Sequence, residues 1–552
     1  MSEPGGAQAR FITHEVTNQP RPLPAYNAWT TDVALREALE REGGGWAREA
    51  LAAYGALAGG ELMEAGRLAN EHRPVFRPFD AYGRRIDAVE FHPAYHRLMH
   101  AAMTHGVHSF AWRHADTPGA HVARAALMYL DGQPDAGTSC PLTMTYAAVP
   151  ALRHAPALAA EWLPRLSALD YDPRSVSADK KRACTVGMGM TEKQGGSDVR
   201  SNTTRATALE DGGYALVGHK WFFSAPMSDA HLVLAQADGG LSCFLLPRVL
   251  PDGHLNAVRI QRLKNKLGDW SNASAEVEFQ GAWAMPVGEV GRGVATILEM
   301  VALTRLDCMT GSAATMRQAV VQALHHTGQR SAFGKRLIDQ ALMRNVLADL
   351  ALESEAAVAL ALRVARAVDG AARDPHEAAL ARIATAIGKY WICKRTPALV
   401  NEAQECLGGI GYVEDTPLPR LYRQAPLNSI WEGSGNVQCL DVLRALERAP
   451  GCREALFAEL ELAHGLDVDL DREVAALGQA LDDPAGREAR SRWLVERMAL
   501  ALQAAILLRA GNGPVADTFC RSRLRREHGL AFGTLPADAA MGPLIQRAAV
   551  EA

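Results

Sequence analysis

Long uncharged apolar runs are missing from this 552-residue chain. The strongest, Met498 to Leu508, has the length of a buried helix and falls short of a membrane span. The stretch from Met1 to Asn27 is polar and rich in proline, with no apolar segment of the kind a secretory leader needs. A soluble, cytoplasmic protein is the expectation, with no membrane partner. Cysteine pairs are missing too. The nine cysteines are scattered, none forms a CxxC pair and their number is odd. That speaks against a disulfide framework and a zinc site, and for a reducing compartment. His92, His96 and His100 share a helix face by spacing, but no acid or cysteine sits with them, so no metal is expected. An excess of one charge is also lacking. The formal net charge is -4, so any nucleic-acid contact must come from a local patch.

Apolar residues make up 48% of the chain, enough for a sizeable core spread over roughly three or four domains. Residues 31 to 180 read as helical, with Ala/Leu/Arg-rich segments broken by Gly/Pro turns. Around Gly187 the texture changes. Tyr214–Ser224, His231–Ala235, Leu241–Pro247 and Ala275–Phe279 are short, rich in Val, Phe and Leu, and separated by Asp/Gly turns, which predicts an all-β module. Gly293–Ser312, Ala313–Arg330, Met343–Ala371 and Pro375–Arg395 have the lengths of bundle helices. From about 442 a further helical segment contains arginine and no lysine. The predicted fold is mainly α with a central all-β domain. Its divisions are an N-terminal extension (1–30), a helical domain (31–183), a β domain (184–288), a helical bundle (289–441) and a C-terminal helical domain (442–552).

Single motifs leave their roles open. Asn428-Ser-Ile-Trp-Glu-Gly-Ser-Gly-Asn436 puts one carboxylate, Glu432, between the apolar Ile430 and Trp431 and a run of small residues. Desolvation there raises a carboxylate pKa towards a useful base, and a buried structural acid reads the same way. Met188-Gly-Met-Thr-Glu-Lys-Gln-Gly-Gly-Ser-Asp198 offers the hydroxyls of Thr191 and Ser197 beside glycines, which suits an electron-rich heterocycle or a plain turn. Trp221-Phe-Phe-Ser224 ends a strand as core or as a flat platform. Arg330-Ser-Ala-Phe-Gly334 sets a guanidinium at a helix end, and Leu407-Gly-Gly-Ile-Gly-Tyr412 is a helix stop or a pyrophosphate contact. Gly511-Asn-Gly-Pro-Val-Ala516 fits a dinucleotide spacing but lacks a preceding strand and contains Pro514, so it is set aside.

In this order the motifs resemble the acyl-CoA dehydrogenase family of FAD flavoproteins, and within it the AidB branch of the adaptive response to DNA alkylation. The resemblance runs from about residue 20 to the end. It implies FAD between the β module and the second helical block. Met188, Met190, Thr191, Ser197, Phe222, Phe223, Ser224, Ile430, Ser434 and Asn436 would contact the cofactor. Arg330, Phe333, Gly408 and Gly409 would reach the FAD of a neighbouring subunit in a homotetramer. Thr191, Ser224 and Gly435 would face an acyl-CoA, and Glu432 falls on the family's catalytic base. Some relatives place the base on an earlier helix, where Asp307 lies here. Two departures stand out: Lys193 replaces the usual proline after Glu192, and Ser434 replaces a threonine.

The tail reads as basic, with Arg521, Arg523, Arg525 and Arg526 close together and few acids in the same stretch. If 515–528 is helical, Arg521 and Arg525 share a face. A solvated ion-pair surface reads the same way. The AidB resemblance implies double-stranded DNA as the partner, held by these residues and by Arg444 through phosphate contacts that weaken steeply with salt. Three functions follow: a DNA-associated flavoprotein protecting or repairing DNA, with dehydrogenase-type activity on a short branched acyl-CoA such as isovaleryl-CoA; a metabolic acyl-CoA dehydrogenase; and a DNA-binding scaffold in which FAD is structural.

Overall fold

The structure is a computed structural model that describes residues 13–449 and 451–550. The first twelve residues of the N-terminal extension lie outside the described residues. The N-terminal block holds helices α1 (Val33–Arg41), α2 (Arg48–Ala58), α3 (Glu61–Glu71), α4 (Pro93–Thr104), α5 (Phe110–Arg113), α6 (Ala120–Asp131), α7 (Ser139–Leu152) and α8 (Pro156–Leu166). Local chemistry sets several starts: the Asp32 side chain caps α1 by accepting from the Leu35 N–H, and Pro93 opens α4 behind the His92 cap. One part of the helical expectation is wrong. An antiparallel hairpin, β1 (Val75–Phe79) and β2 (Arg85–Glu90), interrupts the block. Its signal is present in the alternation of Val75-Phe-Arg-Pro-Phe79 and the Asp80–Gly83 turn.

The β module comprises β3 (Val186–Gly189), β4 (Arg205–Ala208), β5 (Tyr214–Ser224), β6 (Ala230–Ala237), β7 (Gly240–Pro247), β8 (Val258–Leu263) and β9 (Ser274–Val287). Successive pairings β6–β4, β4–β5, β5–β9, β9–β7 and β7–β6 close a ring, with β3 added to β6 and β8 to β9. Closure removes free edges and leaves a small core around Phe223, Phe244 and Phe279.

The bundle is built on α9 (Gly293–Gln329), which is one 37-residue helix where the sequence suggested two. A hairpin, β10 (Ser331–Ala332) and β11 (Lys335–Arg336), leads into α10 (Ala341–Gly370) and α11 (Pro375–Cys406). After α12 (Leu418–Gln424), α13 (Gly435–Arg448) opens the tail, which continues with α14 (Gly451–Glu461), α15 (Val468–Asp482), α16 (Ser491–Arg509), α17 (Gly513–Phe519) and α18 (Met541–Ala548). The expected helix over 515–528 ends at Phe519 and passes into a π-turn over Cys520–Leu524. The tail shares one continuous apolar core with the bundle and the N-terminal helices: Leu35, Leu350, Ile392, Met498 and Leu544 belong to it. Charge completes the docking. Arg547 at the end of α18 bridges Glu37 of α1 and Glu355 of α10, both at 2.6 Å, and Arg317 of α9 donates to the Ala548 carbonyl. No helix among the described residues is long and apolar enough to cross a membrane.

Candidate active site

Glu432 sits in the turn between α12 and α13, at a backbone φ of +56°, and Gly433 follows at +98°. Left-handed backbone is costly for a residue with a long side chain and persists only where neighbours impose it. They do so here. The Glu432 carbonyl accepts from Arg305 Nε at 2.9 Å and from Gln438 Nε2 at 3.0 Å. Lys389 Nζ, on α11, donates to the carbonyls of Trp431 and Gly433. The φ of +98° at Gly433 favours glycine, and a Cβ there would also displace Gln438 Nε2, 2.6 Å away. The Trp431 indole is fixed in turn by Asn428, its Nε1 donating at 2.8 Å.

The carboxylate itself accepts from Thr304 Oγ1 of α9 at 2.9 Å. Burial raises the Glu432 pKa above the ordinary value, and the Thr304 hydrogen bond with the Arg305 and Lys389 charges holds back part of that rise. The desolvation does not come from Ile430, whose side chain is exposed, but from the packing of α9 and α11 around the turn. Asp307, one turn along α9 from Thr304, is already committed. It pairs with the buried Arg124 and accepts from Thr143, which leaves no role for it as an alternative base.

The loop after β3, whose Met190 packs on the same apolar cluster as Trp431, is pinned by a buried ion pair between Glu192 and Lys220 at 2.9 Å. Glu192 also accepts the backbone N–H groups of Thr203 and Thr204. The Thr191 carbonyl takes the Trp221 N–H and Asn202 binds the Met190 carbonyl. The hydroxyls of Thr191 and Ser197 make no hydrogen bond among the described residues. Strand alternation divides the Trp221–Ser224 run. Phe222 stays exposed and Ser224 half-exposed, its Oγ 3.1 Å from that of Ser274. Phe223 turns inward, stacked on His231 at 3.8 Å, so it is core and not part of a platform. Met188 is likewise packed in the core beside α7 and α8. A free pair of hydroxyls, an exposed aromatic face and a paired serine form a donor set that fits a flat, polar heterocycle such as the flavin of FAD.

The residues expected to serve a neighbouring subunit gather at one end of the bundle. Phe333 is fully exposed at the tip of the β10–β11 hairpin, and Gly408 and Gly409 are open to solvent. Arg330 donates to the Asn18 carbonyl, and the Asn18 amide bonds both the N–H and the carbonyl of Ser331. The N-terminal extension thereby holds the hairpin. Ser434, Gly435 and Asn436 lie at the start of α13, with Asn436 exposed.

The tail arginines depart from the sequence reading. Arg523 is buried and bonded to Asp349 and Glu353 of α10. Arg521 binds Glu527 and Asp538, and Arg525 binds Asp469. Arg526 is exposed, and Arg444 is exposed beside Asp441. Four of the five arginines offered to DNA are therefore engaged with carboxylates, Arg444 loosely at 3.5 Å from Asp441. The sequence reading also missed Thr304, Lys389, Gln438 and Ser274. Each reaches the site from another element, and none lies in a motif that marks it.

The chain matches the family described as adaptive response protein AidB N-terminal domain over residues 18–173, the acyl-CoA dehydrogenase middle domain over 187–282 and the acyl-CoA dehydrogenase C-terminal domain over 291–447. It is 50% identical to AidB of Escherichia coli (strain K12), across 94% of this chain and 96% of that protein. Acyl-CoA dehydrogenase family member 11 of Caenorhabditis elegans is 34% identical over 71% of this chain and 66% of its own length. Among solved structures, Caenorhabditis elegans ACDH-11 in complex with C11-CoA superposes with a TM-score of 0.86 at 27% identity, covering 94% and 95% of the two chains. The apo form of Bd2924 superposes with a TM-score of 0.82 at 31% identity, covering 89% and 99%.

Proposed function

Because the chain belongs to the acyl-CoA dehydrogenase family, in its AidB branch, we propose that it is a FAD-dependent oxidoreductase acting on the CH–CH bond beside an acyl thioester, with Glu432 as the base. The observation that carries the reading is the Glu432 carboxylate, raised in pKa by burial and held by the Thr304 hydroxyl. FAD, when bound, supplies the acceptor for the β-hydride. Thr191, Ser197, Phe222, Ser224 and Ser434 would hold its ring and pyrophosphate, and Met190 would border them. Glu432 takes the α-proton, and a base placed in this way contributes about 10²–10⁴-fold. Short branched thioesters such as isovaleryl-CoA are the proposed substrate class. Anaerobic mixing of the holoprotein with isovaleryl-CoA tests this. Flavin bleaching should occur in the wild type and vanish in Glu432→Gln, and bleaching at the wild-type rate in that variant would remove Glu432 as the base.

The exposed apolar residues Phe333, Leu342, Ile410 and Tyr412 at one end of the bundle support a homotetramer in which Arg330, Phe333, Gly408 and Gly409 complete a neighbour's cofactor site.

Association with double-stranded DNA in the response to alkylation is the second reading. It rests on the match to the AidB N-terminal domain and on the exposed guanidinium groups of Arg444 and Arg526. With the other tail arginines engaged, contact would be phosphate-driven and use few charges. Duplex binding measured against salt should give a shallow slope that decreases further in Arg444→Ala/Arg526→Ala, since each lost phosphate contact removes about 0.9 from it. Salt-independent binding would dismiss this reading.

A further inference from the structure

Three successive carbonyls, those of Trp431, Glu432 and Gly433, are all taken by side chains from other elements. Lys389 of α11 binds the first and third, Arg305 of α9 the second, and Gln438 of α13 the second and third. Lys389 is the unusual member. Its side chain is almost fully buried, and no carboxylate lies within ion-pair distance of it among the described residues. A buried ammonium without an ion-pair partner is costly. Neutral donors satisfy carbonyls at less cost, as Gln438 does on the same turn. The cation therefore needs a reason beyond hydrogen bonding.

Resting on the reading of Glu432 as the base, we propose that Lys389 is the positioning residue of that base, its ammonium bridging the two carbonyls that flank Glu432 and fixing the left-handed turn that aims the carboxylate. Two effects follow from one group. The charge-assisted bonds offset the strain of φ +56°. The ammonium also adds a positive field at a carboxylate that burial would otherwise push further towards the neutral acid. The other groups facing Glu432 are Thr304, Arg305 and the Cys308 thiol from α9, and the Cys140 thiol from α7. Arg305 is shared with Asp441, to which it donates at 2.8 Å, so Lys389 is the cation whose whole engagement is with this turn.

The experiment compares Lys389→Met and Lys389→Arg holoproteins with the wild type in FAD absorbance, equilibrium binding of isovaleryl-CoA, flavin reduction rate and its pH profile. In Lys389→Met, FAD content and thioester binding should persist. Reduction should slow by about 10- to 100-fold, the cost of a misaimed reacting group. The acid limb of the profile should move to higher pH, because a cation that favoured the ionised form is gone. Lys389→Arg should recover most of the rate. A wild-type rate and limb in Lys389→Met overturns the inference. So does a slow variant whose limb is unmoved and which arginine does not rescue, since that describes structural damage. Should Lys389→Met fail to fold, Lys389→Gln takes its place, keeping a donor and removing the charge: slowed reduction with the acid limb moved to higher pH supports the inference, and a wild-type rate and limb overturns it. Glu432→Gln, measured alongside, separates this failure from failure of the base itself.

Discussion

Among the described residues, the Thr304 hydroxyl is the one side chain that hydrogen-bonds the Glu432 carboxylate. Thr304→Val should therefore raise the Glu432 pKa further and shift the acid limb of flavin reduction upward by about one pH unit, read from rates between pH 5 and 9. An unmoved limb would separate Thr304 from the titration. A second carboxyl tests the interior. Burial pushes the Asp131 pKa up to about 7, against the hydrogen bonds it accepts from Tyr54 and Ser139, which pull it down. A raised carboxyl favours the fold while protonated, so its contribution is present below pH 4 and lost as pH rises through 7. Asp131→Asn should gain about 2 kcal/mol over the wild type at pH 8 and little at pH 4, in denaturant titrations at both values. At this scale Glu432 was legible in the sequence because small residues and Trp431 surround it. Its environment was not. Thr304, Lys389 and Gln438 reach it from three separate helices, and the neighbour read as its apolar shield, Ile430, points to solvent. Strand alternation likewise sorts Phe222 from Phe223 only once the strand's inner face is known.

Among the elements, the four strands read from the sequence and the long helices α10 and α11 are present, whereas the β1–β2 hairpin, the strands β3, β4 and β8 and the continuity of α9 were not read, and the charges of the tail were misread. Its arginines looked unopposed because the count of acids stopped at the ends of the stretch. The partners come from far along the chain: Asp349 and Glu353 for Arg523, Glu459 for Arg509, Glu473 for Arg497 and Asp469 for Arg525. Charge clustering in sequence cannot distinguish a nucleic-acid face from a docking seam whose other half is remote. The seam predicts that Arg523→Met destabilises the protein by about 3 kcal/mol, since it leaves buried carboxylates short of a cation. Hydrogen exchange should show the loss over residues 513–548 before the β module. Asp349 adds a pH signature. Burial alone would raise its pKa, but Arg523 and His528 hold it down at about 2. Stability from a depressed carboxylate is present above pH 4 and lost as pH falls towards 2, so the tail should loosen in that window.

For the whole molecule, the helical–β–helical order was legible from composition and periodicity alone, whereas the closing of the β ring and the merging of the tail into the common core depend on contacts between distant segments. The proposed homotetramer makes its own prediction. Phe333→Asp places a charge on the fully exposed hairpin tip and should lower the oligomer size in light scattering, with loss of FAD in the same fractions; a full-size, flavin-replete variant would detach the hairpin from both roles. The Arg547 bridge has a further consequence, for biosynthesis. Its link from Glu37 spans 510 positions, so α1, although it packs on α6 and α10, cannot complete its surroundings until α18 has left the ribosome. Contacts of such separation make folding slow and leave apolar surface waiting. The N-terminal helices should therefore remain clients of chaperones throughout translation, and a chain cut short before α18 should be recognised as unfinished and degraded.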